Sequence, residues 1–89
     1  MHTNNQLEII VKGFANHRRI DIMELLEKES GLSLMHISER LDINFKTASE
    51  HLRRLMYAGL IVKTNDANYV LHTLTPRGYK ILKFLRNLE

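Results

Sequence analysis

Residues 41–55, LDINFKTASEHLRRL, carry the most informative pattern in this chain of 89 residues. Asn44 is a good helix cap, because its side chain can accept a hydrogen bond from the backbone amide of Thr47. Gly59 lies where a residue with left-handed backbone geometry would end the helix. Three apolar residues recur at i, i+4 and i+7, which places them on one helical face: Ala48, Leu52 and Leu55. The pattern predicts an amphipathic helix over residues 44–58.

Three further helices are predicted before this segment. Each begins at a residue whose side chain can accept hydrogen bonds from the free amides of a first turn, namely Thr3, Asn16 and Ser33. Thr3 and Gln6 also have the spacing of a capping box, in which the Gln side chain reaches back to the amide of the cap. Apolar residues at helical spacing extend these helices to about Phe14, Lys28 and Leu41.

Residues 60–74 have the pattern of a β-hairpin. Two runs rich in β-branched residues flank a polar turn at 65–68. Thr75 and Pro76 then provide the cap and the first residue of a last helix. Two helices with a short connection, followed at once by a hairpin, are typical of a winged helix-turn-helix. We therefore predict a mainly α fold of order α-α-α-α-β-β-α with a β-hairpin wing.

Length and charge are consistent with one small DNA-binding domain over residues 1–89. Thirteen Lys and Arg against ten Asp and Glu give a net charge of +3. The positive excess lies in residues 44–63 and 75–89, whereas residues 16–43 are acidic. A basic helical segment is compatible with nucleic-acid binding, although many such segments are simply solvated helix faces.

Several function classes are disfavoured by what the sequence lacks. Cysteine is absent, neighbouring histidines are at least 15 residues apart, and no phosphate loop or nucleophile elbow occurs. We therefore expect no enzyme activity, no catalytic residue, no metal site and no cofactor, and leave open a metal site assembled across a dimer. No apolar run approaches the ~18 residues of a membrane span, and the N-terminus does not have the pattern of a signal peptide. The expected location is the cytoplasm.

The face of helix 44–58 opposite its apolar residues carries the chemistry of DNA recognition. Long cationic donors, short hydroxyls and a carboxylate are the groups that contact base edges and phosphates. Base reading is predicted for Lys46, Ser49, Glu50 and Arg53. Backbone positioning is predicted for Thr47 and Arg54 and, in hairpin 60–74, for Lys63, Asn65 and Asn68. The expected partner is double-stranded DNA.

Three residues of this helix leave alternatives open. Phe45 either touches a thymine methyl group or packs over the turn against the third helix, and we favour packing. Tyr57 is either a distal phosphate contact or solvent-exposed. His51 is either a surface residue near DNA or a hydrogen-bonding one. Glu50 can accept from cytosine but repels phosphate, so we expect it to sharpen specificity and weaken affinity.

The two terminal helices carry more apolar residues than one small core needs. These residues are Leu7, Ile10, Val11, Phe14, Ile81, Leu82, Leu85 and Leu88. They either cover the core or form an interface between two copies of the chain. We favour a two-fold homodimer that binds an inverted repeat.

Four segments resemble the ArsR-like winged-helix regulators, in order and with matching spacing. Residues 16–26, NHRRIDIMELL, resemble the opening N-P-x-R-x-x-I-L-x-x-L, and residues 41–55 resemble the recognition segment L-x-x-S-x-x-T-x-S-x-H-L-x-x-L. AGLI at 58–61 and LTPRG at 74–78 resemble A-G-L-[VI] and L-T-x-x-G. The resemblance implies a homodimeric transcriptional regulator, often a repressor released by an inducer, with terminal helices forming the dimer.

The chain also departs from that family. Ser33 and Met35 stand where relatives carry a C-x-C metal site, and residues 76–89 lack the His and Asp of a second kind of site. The wing turn at 65–68 lacks the arginines that relatives often have. This turn without cations and Glu50 leave two alternatives: a winged helix used for protein contacts, and a sensor gated by a ligand at a site unlike the family's. No small-molecule inducer can be identified from the sequence.

Overall fold

Five helices and one two-stranded antiparallel sheet make up the computed structural model, which describes residues 1–89. The helices are α1 (Asn4–Phe14), α2 (His17–Lys28), α3 (Leu34–Leu41), α4 (Phe45–Tyr57) and α5 (Pro76–Arg86). The strands, which lie between α4 and α5 in the chain, are β1 (Ile61–Asp66) and β2 (Tyr69–Leu74). The predicted order of elements is confirmed.

Side-chain caps determine where the helices begin. The Thr3 hydroxyl accepts from the Gln6 amide, and the Gln6 side chain accepts from the Thr3 amide at 2.8 Å, so the capping box is present. Asn16, Ser33 and Thr75 cap α2, α3 and α5 through their side-chain oxygens. These oxygens satisfy amides that have no partner within the helix, which is why the local sequence predicts the helix starts.

Three residues join α3 to α4. Asp42 has a left-handed backbone, with a φ of 52°, and ends α3. Ile43 is buried, and its carbonyl accepts a hydrogen bond from the Ser38 hydroxyl at 2.5 Å. Asn44 caps α4 by accepting from two amides of its first turn at 2.9 and 3.3 Å. The turn is therefore anchored both to α3 and to α4.

The core is a cluster of 13 buried residues that includes Leu52 and Leu55 of the inward face of α4. Ala48, Leu52 and Leu55 are at most 2% exposed, as their helical spacing predicts. The same cluster includes Ile22 of α2 and Leu60, which precedes β1. Because α4 is held by its apolar face, its opposite face is left to solvent.

The wing turn is tighter than predicted. The strands pair up to Asp66 and Tyr69, so the turn contains only Ala67 and Asn68. The prediction of a four-residue turn at 65–68 was wrong, because strand pairing uses backbone groups and continues through polar residues. Ala67 takes a left-handed φ of 55° in this short turn.

The base of the wing is attached to the segment between α2 and α3. The amide of His72 donates to the Leu32 carbonyl at 2.8 Å, and the His72 carbonyl accepts from the amides of Gly31 and Leu32 at 3.1 and 3.3 Å. The buried His72 ring also donates to the Leu32 carbonyl from Nδ1 at 2.8 Å. The hairpin is therefore held at β2 and projects from the helical core towards its turn.

Two glycines let the terminal helices approach the core closely. A Cβ atom at Gly13 would collide with the Ala58 side chain, where α1 meets the end of α4. A Cβ atom at Gly78 would collide with the Leu60 carbonyl, beneath the start of α5. Both terminal helices therefore pack against the connection from α4 to β1.

Candidate DNA-binding surface

The predicted DNA-contact residues of α4 lie together on its exposed side. We call them the recognition strip: Lys46, Thr47, Ser49, Glu50, Arg53 and Arg54, all of which are exposed. Placed at 100° intervals, Lys46, Glu50 and Arg53 lie opposite the buried face, and Thr47 and Arg54 lie along the edge nearer α1. The helical spacing and the packing of α4 thus agree on which face is open to a partner.

Glu50 lies in an ion-pair network within α4. The Arg53 guanidinium donates to both carboxylate oxygens of Glu50, at 2.5 and 3.3 Å, and Arg54 Nε donates to Oε1 at 3.4 Å. The hydrogen bond from Arg53 lowers the pKa of the Glu50 carboxyl. The spacings i, i+3 and i, i+4 are a sequence signal for such pairs, and sequence reasoning missed it. Glu50 therefore holds Arg53 along the strip in the free protein.

The two aromatic residues of α4 are both exposed. Phe45 is 55% exposed, so the favoured interpretation that it packs over the turn was wrong. It is the first residue of α4, where the preceding turn is already closed by Ile43, and its ring remains at the surface. Tyr57 is 75% exposed and lies at the other end of the helix.

The wing presents polar groups with little charge. Lys63, Asn65 and Asn68 are exposed, as expected of contact residues. Lys63 is the only cation in the hairpin and is offset by Asp66 near the turn. The wing therefore offers amides and one ammonium group, and the charge of the surface is concentrated on α4.

Arg19 connects α4 to α1 and α2, a role that sequence reasoning missed. Its Nε donates to His51 Nδ1 at 3.3 Å, and its Nη1 donates to the carbonyls of Lys12 and Gly13 at 2.8 and 3.2 Å. Of the two roles left open for His51, hydrogen bonding is therefore present. Arg19 and His51 are 32 positions apart, so no local signal in the sequence could have paired them.

Burial and charge affect both partners of this contact. Burial and the nearby Arg54 lower the pKa of the Arg19 guanidinium. Burial and the charge of Arg19 hold the pKa of His51 below its usual value. A neutral His51 with its proton on Nε2 is the form that can accept from Arg19 through Nδ1.

The apolar residues of the terminal helices divide into three groups. Phe14 and Leu82 lie in the core at 8% and 1% exposure, so their prediction as interface residues was wrong. Ile10, Ile81 and Leu85 are partly buried against the core. Leu7, Val11 and Leu88 are 46%, 50% and 67% exposed, and Phe84, which joins them, is 51% exposed.

Two further observations concern the class of protein. No group of three or more histidines and carboxylates is placed to hold a metal ion. No helix is both long enough and apolar enough to cross a membrane.

Comparison with known sequences identifies relatives among bacterial regulators. Residues 16–63 match the family model described as "Bacterial regulatory protein, arsR family". The transcriptional activator HlyU of Vibrio cholerae is 31% identical over 74 residues, which are 83% of this chain and 68% of HlyU.

Solved structures match the whole fold. HlyU from Vibrio cholerae superposes with a TM-score of 0.80 and 29% identity, covering 99% of this chain and 97% of HlyU. The homodimeric winged helix-turn-helix DNA-binding domain of Mb0332 from Mycobacterium bovis superposes with a TM-score of 0.85 and 19% identity, covering 99% of this chain and 87% of that one. The predicted winged helix-turn-helix is thereby confirmed. The chain belongs to the arsR family of bacterial regulatory proteins, as its motifs indicated.

Proposed function

We propose that this protein is a homodimeric transcriptional regulator that binds specific double-stranded DNA through α4 and the wing. Residues 1–89 would form one DNA-binding domain, with the terminal helices carrying the dimer contacts. The observation that carries the proposal is the recognition strip, an exposed row of donors, hydroxyls and one carboxylate on a helix held rigidly by its opposite face. A helix about 10–12 Å across fits a major groove about 12 Å wide. The function is binding, with no catalytic step.

The roles of individual residues follow from their chemistry and position. Lys46, Ser49, Glu50 and Arg53 would read base edges, because they are at the centre and N-terminal half of the exposed face. Thr47 and Arg54, along the edge, and Lys63, Asn65 and Asn68 of the wing would contact the DNA backbone. Phe45, exposed at the start of α4, would contact a thymine methyl group.

Selection from random duplex DNA at near-physiological salt tests the proposal directly. We expect enrichment of one inverted repeat, because a two-fold dimer presents two copies of α4 to two half-sites. No enrichment, with affinity unchanged between sequences, would count against a sequence-specific regulator. The family resemblance favours repression, whereas HlyU is named an activator. Expression of a reporter gene placed downstream of the selected site would then show whether this protein represses or activates transcription.

Arg53→Ala provides the sharper test of base reading. We expect a loss of ~1–3 kcal/mol on the selected site and a relaxed preference at one base pair. Arg86→Ala is the matched control, because Arg86 is also an exposed arginine paired with a glutamate, Glu27, but on α5. Equal weakening of all sequences by Arg53→Ala would instead place this residue on a phosphate.

A further inference from the structure

A cleft of about 400 Å³ lies between the end of α1, the start of α2 and the middle of α4. Its lining residues are Lys12, Ala15, Arg19, Glu50, His51 and Arg54. Three of these side chains are cationic and one is a carboxylate. The cleft therefore has an excess of positive charge, and it contains the Arg19–His51 contact.

Arg19 is a fixed cation without a carboxylate partner. Its Nε and Nη1 are held by His51 Nδ1 and by two carbonyls at the end of α1. Nη2 makes no hydrogen bond within the chain, and Arg19 belongs to none of the five ion pairs in the structure. Two of its three nitrogens thus orient the guanidinium while the third keeps its donors free.

The one carboxylate of the cleft is already shared. Glu50 accepts from Arg53 at 2.5 Å as well as from Arg54 at 3.4 Å. Burial lowers the pKa of the Arg19 guanidinium, the charge of Arg54 adds to this effect, and Glu50 opposes it. Lys12, at the rim, contacts Glu8 at 2.9 Å but keeps a side chain that is 75% exposed. An anion in the cleft would relieve this excess of positive charge.

The cleft lies at the edge of the recognition strip. Arg54, with Thr47, marks the side of α4 that faces α1, next to the residues that point away from the core. A helix in the major groove nearly fills its width, so the edges of the helix meet the phosphates that border the groove. A cationic recess at such an edge is placed to receive one of them.

We propose that this cleft binds a phosphate group of the DNA backbone beside the groove that α4 enters, with Lys12, Arg19 and Arg54 as its ligands. The inference rests on the proposed function and adds α1 and α2 to the DNA-contacting surface. Arg19 gives a fork-shaped donor set suited to phosphate oxygens, and Lys12 gives a mobile ammonium at the rim. Such a contact adds affinity and fixes orientation without reading sequence.

The salt dependence of DNA affinity tests this contact. Lys12→Gln and Arg54→Gln, alone and combined, remove two of the three ligands without touching the Arg19 bonds to the α1 carbonyls. Because Arg54 is already assigned to the DNA backbone, Lys12→Gln alone decides whether the cleft takes part. For this variant we expect the slope of log affinity against log salt to fall by up to ~0.9 for each cleft of the dimer, equally on the selected site and on random DNA. Lys28→Gln removes one positive charge, as Lys12→Gln does, but at the far end of α2, and should leave the slope unchanged.

A second measurement observes Arg19 itself. Its Nε–H resonance should shift on titration with duplex DNA in the wild type. Inorganic phosphate alone is the competing source of the same chemistry. A shift with millimolar phosphate but none with saturating DNA would overturn the backbone assignment.

Failure of this inference is distinguishable from failure of the proposed function. A wild type that binds no duplex in the selection experiment contradicts the proposed function. A wild type that selects its site, together with a Lys12→Gln variant that keeps the wild-type salt slope and an unmoved Arg19 resonance, contradicts only the phosphate cleft.

Discussion

At the scale of single residues, His51 couples the packing of α4 to pH. It accepts from Arg19 through Nδ1, and burial holds its pKa below the ordinary value of 6.5. Arg19, Arg18 and His17 on α2 disfavour its protonated form, and Glu50 on α4 opposes them. Protonation would replace an acceptor with a cation facing the Arg19 guanidinium.

We therefore expect stability to fall as the pH drops below 6.5. A histidine with a lowered folded pKa stays neutral in the folded state while the unfolded state takes up the proton, so acid favours unfolding. His51→Gln keeps an acceptor but does not titrate, and should show a shallower fall. Urea midpoints measured between pH 6.5 and 4.5 test this. Carboxylates with a lowered pKa, such as Glu50, lose their contribution to stability mainly below the ordinary glutamate value of 4.5, so this pH window reports chiefly on His51. Parallel pH profiles for the two proteins would contradict the role assigned to His51.

At the scale of elements, the wing carries a strained turn. Ala67 adopts a φ of 55°, which costs a residue with a Cβ atom about 1–2 kcal/mol relative to glycine. Glycine loses more backbone entropy on folding, by roughly 0.5–1 kcal/mol. We therefore expect Ala67→Gly to stabilise the protein by about 0.5–1 kcal/mol in chemical denaturation. Ala15→Gly is the matched control, since φ is −77° there and glycine brings only the entropy loss. Equal destabilisation by both changes would contradict the left-handed turn.

The helix starts were predicted correctly because their capping contacts join residues that are close in sequence. Thr3, Asn16 and Asn44 cap their helices through residues two or three positions away, so the local pattern contains the whole interaction. The wing turn was placed wrongly because strand pairing depends on the partner strand. Arg19 was missed because its acceptors lie on α1 and α4, which only the packed fold brings together.

At the scale of the whole molecule, two terminal helices leave apolar side chains in solvent. Leu7 and Val11 are four residues apart on α1 and lie on one face of the helix. Phe84 lies near the end of α5, and Leu88 follows just beyond it. Each is at least 46% exposed, although burying such a side chain is worth roughly 1.5–3 kcal/mol. Which helical residues face the core could be predicted only in part, since Phe14 and Leu82 have the same apolar pattern but lie inside.

Because these side chains are exposed, we expect that the proposed dimer can be separated without unfolding the protomer. Val11→Glu combined with Phe84→Glu places charge on both terminal helices at positions that are half exposed, so the core is left intact. We expect the double variant to sediment as a folded monomer at micromolar concentration and to lose its preference for an inverted repeat over a single half-site, because avidity between two linked binding sites is lost. Val62→Glu is the control: Val62 is 46% exposed but lies on the wing, and its variant should remain dimeric. A double variant that still sediments as a dimer would show that the interface does not involve α1 and α5. A wild type that sediments as a monomer would contradict the two-fold arrangement on which the inverted repeat depends.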